Sequence, residues 1–229
     1  MNDLNISDSG CERIAACFHD LTPDELKYIN QNKTEVDYLA GETLFKQEAF
    51  SPHVLLITEG LVKVYLQTGP EKQLNLFIQK ESDFLAFSSV FGEQTHNYSA
   101  VALTDVQICM IDKESMRKVL LSNPNFAMRI TSRNCKNEKQ FLSIMHNITY
   151  RQMRGKLASA LLYLSDEDFA GIKIFPRLGR QDIANFASIA TESAIKFLKE
   201  FEKEGIIKLK GKDIEIVNRA QLELIERLG

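Results

Sequence analysis

Residues 179–201 read GRQDIANFASIATESAIKFLKEF, and no other stretch limits the architecture of this 229-residue chain as strongly. Two short helical patterns are separated by Ser188, Ile189 and Ala190. Ile183, Ala184 and Ala187 recur on one side of the first pattern, and Ala194, Ile195, Phe197, Leu198 and Phe201 are read as the inward residues of the second. Ala184 is small enough to let two helices cross at roughly 90 to 120°, the geometry of a helix-turn-helix. Serine stands in the turn where glycine is often found.

The segment that follows carries two short β-patterned runs, Ile206 to Lys210 and Ile214 to Val217, around the basic turn Gly211-Lys212-Asp213. A hairpin beside a helix pair predicts a winged helix-turn-helix. Its second helix opens on Thr191, Glu192 and Ser193, with Lys196 one turn later on the same face as Glu192. Glu192 can accept a hydrogen bond from a cytosine amine, Lys196 can donate to guanine O6 and N7, and Ser193 reaches a base or a phosphate. Lysine lacks the two-pronged fork of arginine, so its contact is weaker or shared with phosphate. Lys199, Lys208, Lys210 and Lys212 suit the sugar–phosphate backbone, which positions a protein without reading sequence.

At 229 residues the chain is long for one compact core and comfortable for two domains. With 44% hydrophobic and 26% charged residues it has the composition of a soluble globular protein. No apolar run approaches the ~18 residues of a membrane span, and the N-terminus lacks a basic segment followed by an apolar one, so a cytoplasmic protein without membrane contact is expected. Up to Tyr150 there are 14 Lys+Arg against 19 Asp+Glu, and beyond it 14 against 12. The mildly basic end is the one suited to phosphate. Four cysteines, Cys11, Cys17, Cys109 and Cys135, form no C-x-x-C pair and read as free thiols. Cys11 and Cys17 offer only part of the four-thiolate set of an iron–sulfur site. His19, His53, His96 and His146 show no metal spacing and read as surface or loop residues. No metal, cofactor or catalytic constellation is expected, so the chain is not read as an enzyme.

Residues 1–120 read as a strand-rich module. Thr22-Pro23-Asp24-Glu25 is a capping box that starts a short helix, preceded by a helical turn or two around Ile14, Ala15 and Phe18. Short apolar runs follow at 36–38, 43–45, 54–57, 61–66, 74–78, 84–87, 98–102 and 106–111, divided by Gly- and Pro-bearing turns. Such spacing predicts an antiparallel β-roll, jelly-roll-like, that can enclose a small ligand. Asp112 then caps a helix, and Pro124 starts a second that meets no Pro or Gly before Gly155.

On that long helix Ile130, Asn134, Asn137, Phe141, Ile144 and Ile148 form a narrow seam at heptad spacing, which predicts parallel pairing with a second copy. Thr149 is read as the cap of a further helix, and 172–175 as a short strand. The expected division is a roll over 1–120, a dimerisation helix over 121–148 and a winged helix-turn-helix over 149–229, an α+β chain overall.

Together, the roll, the pairing helix and LGRQDIANFASIATESAIKFLKEFEKEGII resemble the CRP/FNR superfamily of bacterial transcription regulators. The resemblance covers nearly the whole chain. It implies a homodimer on palindromic DNA, RNA polymerase as a further partner, and a roll that biases the two recognition helices. In that family the recognition helix carries an arginine or similar residue, then a glutamate, then an arginine four residues on; here these places hold Thr191, Glu192 and Lys196.

The resemblance also bears on the ligand. The family's nucleotide phosphate is held by a Gly-Glu-Leu turn and a later Arg-Ser pair. Here the first place holds Phe84-Leu85-Ala86-Phe87-Ser88, without an acid, and the second Tyr98-Ser99-Ala100, with tyrosine for arginine. Losing that arginine removes a bidentate grip on phosphate. Cyclic AMP is therefore not the expected effector, and Phe84, Leu85, Phe87, Phe91, Tyr98 and Ser99 mark a place that either admits an apolar effector or is filled by its own rings. A sensor whose winged helix meets protein rather than DNA is the alternative, and it leaves the basic wing unexplained.

Overall fold

Helix α1 (Pro23–Gln31) starts on the predicted capping box: the Thr22 hydroxyl accepts from the Glu25 amide at 3.3 Å, and Glu25 Oε2 accepts from the Thr22 amide at 2.9 Å. The Asn123 side chain donates to the same carboxylate at 3.0 Å, and these bonds, the Thr22 amide first, hold the Glu25 carboxyl below its ordinary range. The computed structural model describes residues 16–229 apart from Glu71, without the side chains of Ala16, Cys17, Arg133, Asn134, Lys136, Asn137 and Lys139. Within the described residues the chain divides into two compact units, one from the chain up to Leu66 with Phe77–Asn137, the other from Gln67–Leu76 with Glu138–Gly229.

Eight strands build the first sheets: β1 (Lys33–Tyr38), β2 (Thr43–Phe45), β3 (His53–Glu59), β4 (Val62–Gly69), β5 (Lys72–Gln79), β6 (Phe84–Leu85), β7 (Ser99–Ala102) and β8 (Val106–Asp112). They form two four-stranded sheets in the orders β1-β8-β3-β6 and β2-β7-β4-β5. β3 is buried on both sides because its side chains alternate. Val54 and Leu56 join a cluster with Ile29, Met116, Val119, Phe126 and Ile130, while Leu55 and Ile57 are buried on the opposite face. The turn between β3 and β4 demands Gly60: its φ is +92°, and a Cβ there would lie 2.3 Å from the Asp105 carbonyl oxygen.

Helices α2 (Lys113–Ser122) and α3 (Pro124–Tyr150) follow at the predicted cap and proline. Asp112 Oδ1 accepts from the Ser115 amide at 2.8 Å. The α3 seam needs correction. Ile130 is fully buried in its own unit's core against Phe126 and Met116, so it cannot face a partner. Asn134 and Asn137 have side chains outside those described. Ile144 is half-buried, and Phe141 and Ile148 are exposed. The exposed positions instead repeat in steps of three and four at Met128, Thr131, Cys135, Glu138, Leu142, Met145 and Thr149. A stripe read from apolar spacing alone missed this rotation because Ile130 is apolar for another reason.

The second unit holds α4 (Met153–Leu164), α5 (Arg180–Ala187), α6 (Thr191–Lys203), the hairpin β9 (Ile207–Lys210) and β10 (Asp213–Ile216), and α7 (Arg219–Leu228). Its core gathers Leu157, Leu161, Ile183, Ala184, Ala194, Leu198, Phe201 and Leu222, all essentially inaccessible. Thr149 is not a cap: it ends α3, its hydroxyl donating to the Met145 carbonyl at 2.8 Å, and α4 is preceded by Gln152. Residues 172–175 form no strand, because Pro176 lacks an amide for a ladder and Phe175–Arg177 is a 3-10 turn. The run 84–87 is a strand only at Phe84–Leu85, after which Ala86 turns left-handed (φ 56°) into a 3-10 turn over Phe87–Phe91. Helix α7, capped by Asn218, was not anticipated, although its cap and apolar spacing are legible. Among the described residues no helix is long and apolar enough to cross a membrane.

Candidate nucleic-acid interface

Helix α5 starts at Gly179, whose amide donates to Asp182 Oδ2 at 2.9 Å. It ends at Ser188, which takes the left-handed conformation (φ 54°, ψ 45°) that glycine usually fills. That reversal sends the chain through Ile189 and Ala190 into α6. There Ala194, Leu198 and Phe201, at steps of four and three, bury one side. The opposite side must therefore be the face offered to solvent, and it carries Glu192, Ile195, Lys196 and Lys199, all exposed. Ile195 was expected inside. It lies about 100° around the helix from Ala194, beyond the reach of the core.

The predicted reading residues are not equivalent. Lys196 does not pair with Glu192; its ammonium lies 3.9 Å from Glu200, one turn onward, a distance that leaves it free to swing. Thr191 is engaged: its hydroxyl donates to Gln181 Oε1 at 2.5 Å, and Gln181 Nε2 donates to Asn185 Oδ1 at 3.0 Å. Ser193 is half-buried on the flank of the helix. On the wing Lys208, Lys210 and Lys212 are exposed. Lys210 is held across the hairpin by Glu215 at 2.7 Å. That hydrogen bond raises the lysine's pKa and is also the main cause lowering that of Glu215. Lys208 stands opposite Glu215 in the hairpin register and also lowers its pKa, without a close contact like that of Lys210, and Lys212 is exposed at the turn.

Arg180 was not singled out from sequence. Its Nη2 donates to the Gly211 carbonyl at 2.7 Å, tying the start of α5 to the tip of the wing, while Nη1 is buried without a described acceptor. Burial lowers its pKa. The only local signal for it was a basic residue at the first helical position after Gly179, since its partner at the wing lies 31 residues away.

At the ligand position of the roll the expected aromatic residues lie close to one another, with the Phe84 and Phe87 ring centres 6.0 Å apart and those of Phe87 and Phe91 5.6 Å apart. Phe84 and Phe87 belong to the core cluster shared with α1, α2 and α3, and Phe18 meets Phe84 edge-on at 6.3 Å. Leu85 is buried, and Phe91 is 72% exposed. Tyr98 turns to the backbone: its hydroxyl accepts from the Ala86 amide at 2.9 Å. Burial raises the Tyr98 pKa, with the Ala86 bond acting the other way, so the hydroxyl keeps its proton at neutral pH. Ser99 Oγ accepts from the Gln47 amide at 2.9 Å. Phe45 and His96 complete the group, stacked at 3.8 Å. His96 is a loop residue, one of the two placements read from the sequence, but it is only 8% exposed because residues 94–96 fold back onto 48–51 through paired amides. Cys109 is buried and Cys135 exposed; Cys11 and the Cys17 side chain lie outside the described residues.

The comparisons agree with this geometry. Residues 35–123 match the profile of the cyclic nucleotide-binding domain, and residues 155–225 that of the Crp-like helix-turn-helix domain. The chain belongs to the CRP/FNR superfamily. Over 215 residues it is 22% identical to the CRP-like cAMP-activated global transcriptional regulator of Mycobacterium tuberculosis, covering 91% of this chain and 95% of that one. It is 27% identical over 208 residues to the fumarate and nitrate reduction regulatory protein of Vibrio cholerae, covering 87% and 80%. Among solved structures, FixK2 from Bradyrhizobium japonicum shares the fold at a TM-score of 0.74 and 17% identity, covering 85% of this chain and 97% of that one. As a CRP/FNR protein it is a DNA-binding transcription regulator, and the matched helix-turn-helix domain includes α5, α6 and the hairpin.

Proposed function

We propose that this CRP/FNR regulator acts as a homodimer on palindromic DNA, with Glu192 and Lys196 reading base edges, and that cyclic AMP does not switch it. The observation that carries the reading is the outward face of α6: Glu192 sits in its first turn, exposed, with Lys196 exposed one turn on and its ammonium only loosely held, 3.9 Å from Glu200. Two such helices related by a twofold axis would enter successive major grooves about 34 Å apart, so half-sites should be centred roughly 10 base pairs from each other. Ser193 and Lys199 flank the reading pair. Lys208 and Lys212 supply phosphate contacts, Lys210 contributes less because of Glu215, and Thr191 contributes through its tie to Gln181. RNA polymerase is the protein partner such a regulator implies, the cytoplasm its compartment, and no catalysis is required of it.

The roll supports the second half of the proposal. A nucleotide phosphate needs a cation and free amides, yet the place of the arginine holds Tyr98, whose hydroxyl already takes the Ala86 amide. Ser99 likewise already takes the Gln47 amide. The chain's own side chains thus satisfy groups that a ligand would otherwise meet.

Selection of bound duplexes from a random pool, followed by gel shifts, tests the reading. Glu192→Ala should relax selectivity at one base pair of each half-site by about tenfold, the range of one good base contact. Unchanged selectivity would remove Glu192 from the reading face.

A further inference from the structure

On the reading face of α6 one residue breaks the polar pattern. Ile195 is 38% exposed, and its outward neighbours on the helix are Glu192 one turn before, Lys196 beside it and Lys199 one turn after. An isoleucine there gains no core contact comparable to that of Ala194 or Leu198, and its branched side chain lowers helix propensity slightly. A lone exposed apolar residue elsewhere on a protein needs no explanation. Ile195 differs because every other residue of its face is polar and suited to a nucleic acid.

The major groove presents one apolar group on its base edges, the C5-methyl of thymine. We infer that Ile195 reads a thymine in each half-site through that methyl group. The inference rests on the proposed role of α6 and extends it to a base class. The neighbouring position supports it: Thr191, which opens the helix, has its hydroxyl committed to Gln181, itself bonded to Asn185. Hydrogen bonding from Thr191 is therefore directed back into the helix pair. Ile195 stands one turn further in, on the edge of the outward face beside Glu192 and Lys196. A thymine next to the base pairs those two contact is the expected half-site pattern.

Deoxyuridine isolates the methyl group, since it keeps every hydrogen-bonding group of thymidine. The full chain is first used to select a binding duplex from a random pool. Each thymidine of the half-sites is then replaced in turn by deoxyuridine, and affinity is measured by fluorescence anisotropy at fixed salt. One position per half-site should lose about fourfold, the worth of one buried methyl, and about fifteenfold when both half-sites are changed. With Ile195→Ala the same replacement should have no effect, while Ile195→Val should keep most of it. Affinity for an unrelated duplex should stay unchanged in both variants, which also reports that they fold.

Specific binding in which no thymidine is sensitive, or in which the sensitivity persists in Ile195→Ala, overturns the inference and leaves the role of α6 intact. Failure to select any sequence overturns both.

Discussion

Replacing Leu142 and Met145 together with glutamate is expected to convert a dimer into monomers at micromolar concentration and to lower affinity for a palindromic duplex by about a hundredfold or more, the loss that accompanies the end of bivalent binding. Both side chains are largely exposed on the single chain, at 67% and 65%, so neither change removes core packing from the protomer. They lie three residues apart on the stripe that runs from Met128 through Cys135 to Thr149, the spacing of a two-stranded seam. Across such a seam four carboxylates would meet in a site meant to be dry, where unpaired charge is costly. Cys135 gives an internal reporter. In the unaltered chain mild oxidation should join two copies through Cys135, which a Cys135→Ser control abolishes and the double variant does not form. Sedimentation checks the result, and a double variant that remains dimeric would place the seam elsewhere.

The second large effect belongs to His96. Burial holds its pKa at about 4, well below the ordinary 6.5, and its Nδ1 has no hydrogen-bond partner among the described residues. The unfolded chain would take up a proton near pH 6.5 while the folded chain resists until about pH 4. His96 therefore contributes its full stability above pH 6.5, and that contribution is lost as the pH falls from about 6.5 to about 4. Linkage puts the loss at about 2 to 3 kcal/mol by pH 4.5. Urea unfolding at pH 7 and pH 4.5 measures it. His96→Phe, which keeps a ring against Phe45, should remove most of this component, and equal pH dependence in the two proteins would show that His96 does not titrate on unfolding.

How far the sequence could be read depended on whether the local pattern or the far side of the chain decides a residue's surroundings. The capping box at Thr22, the Asp112 cap, Pro124, the strands of the roll apart from the 84–87 run and the helix pair around Ser188 are local, and each stands close to where the pattern puts it. Ser188 even adopts the left-handed turn that made serine conspicuous there. What failed was the direction of side chains on helices whose two faces are both partly apolar. Ile130 looked like a seam residue and is core; Ile195 looked like core and faces out. Spacing alone cannot assign a face when Ile, Met and Leu occur around the whole circumference.

The ligand position was legible in what it lacks and illegible in what replaces it. The missing arginine could be read directly. That Tyr98 would take the Ala86 amide depends on a return of the chain across 12 residues, and the stacking of His96 on Phe45 on contacts such as Gln47 to Ser99, 52 residues apart. On the wing, Lys210 reaches Glu215 diagonally across a hairpin whose register sets Glu215 opposite Lys208, and the tie of Thr191 to Gln181 follows from the crossing of α5 and α6. Charge and residue type named the candidates; geometry separated the cations that are free from those already used.

Cyclic AMP bears most directly on the central claim of a dimeric DNA reader whose roll is closed by its own tyrosine. The unaltered chain is titrated against a duplex carrying its selected palindrome, at one fixed salt concentration, with and without millimolar cyclic AMP. Two chains per duplex are expected, with affinities equal within about twofold in the two titrations, against the 1.4 kcal/mol that a tenfold change would represent. An affinity that rises tenfold or more with cyclic AMP and saturates at micromolar nucleotide would contradict the central claim.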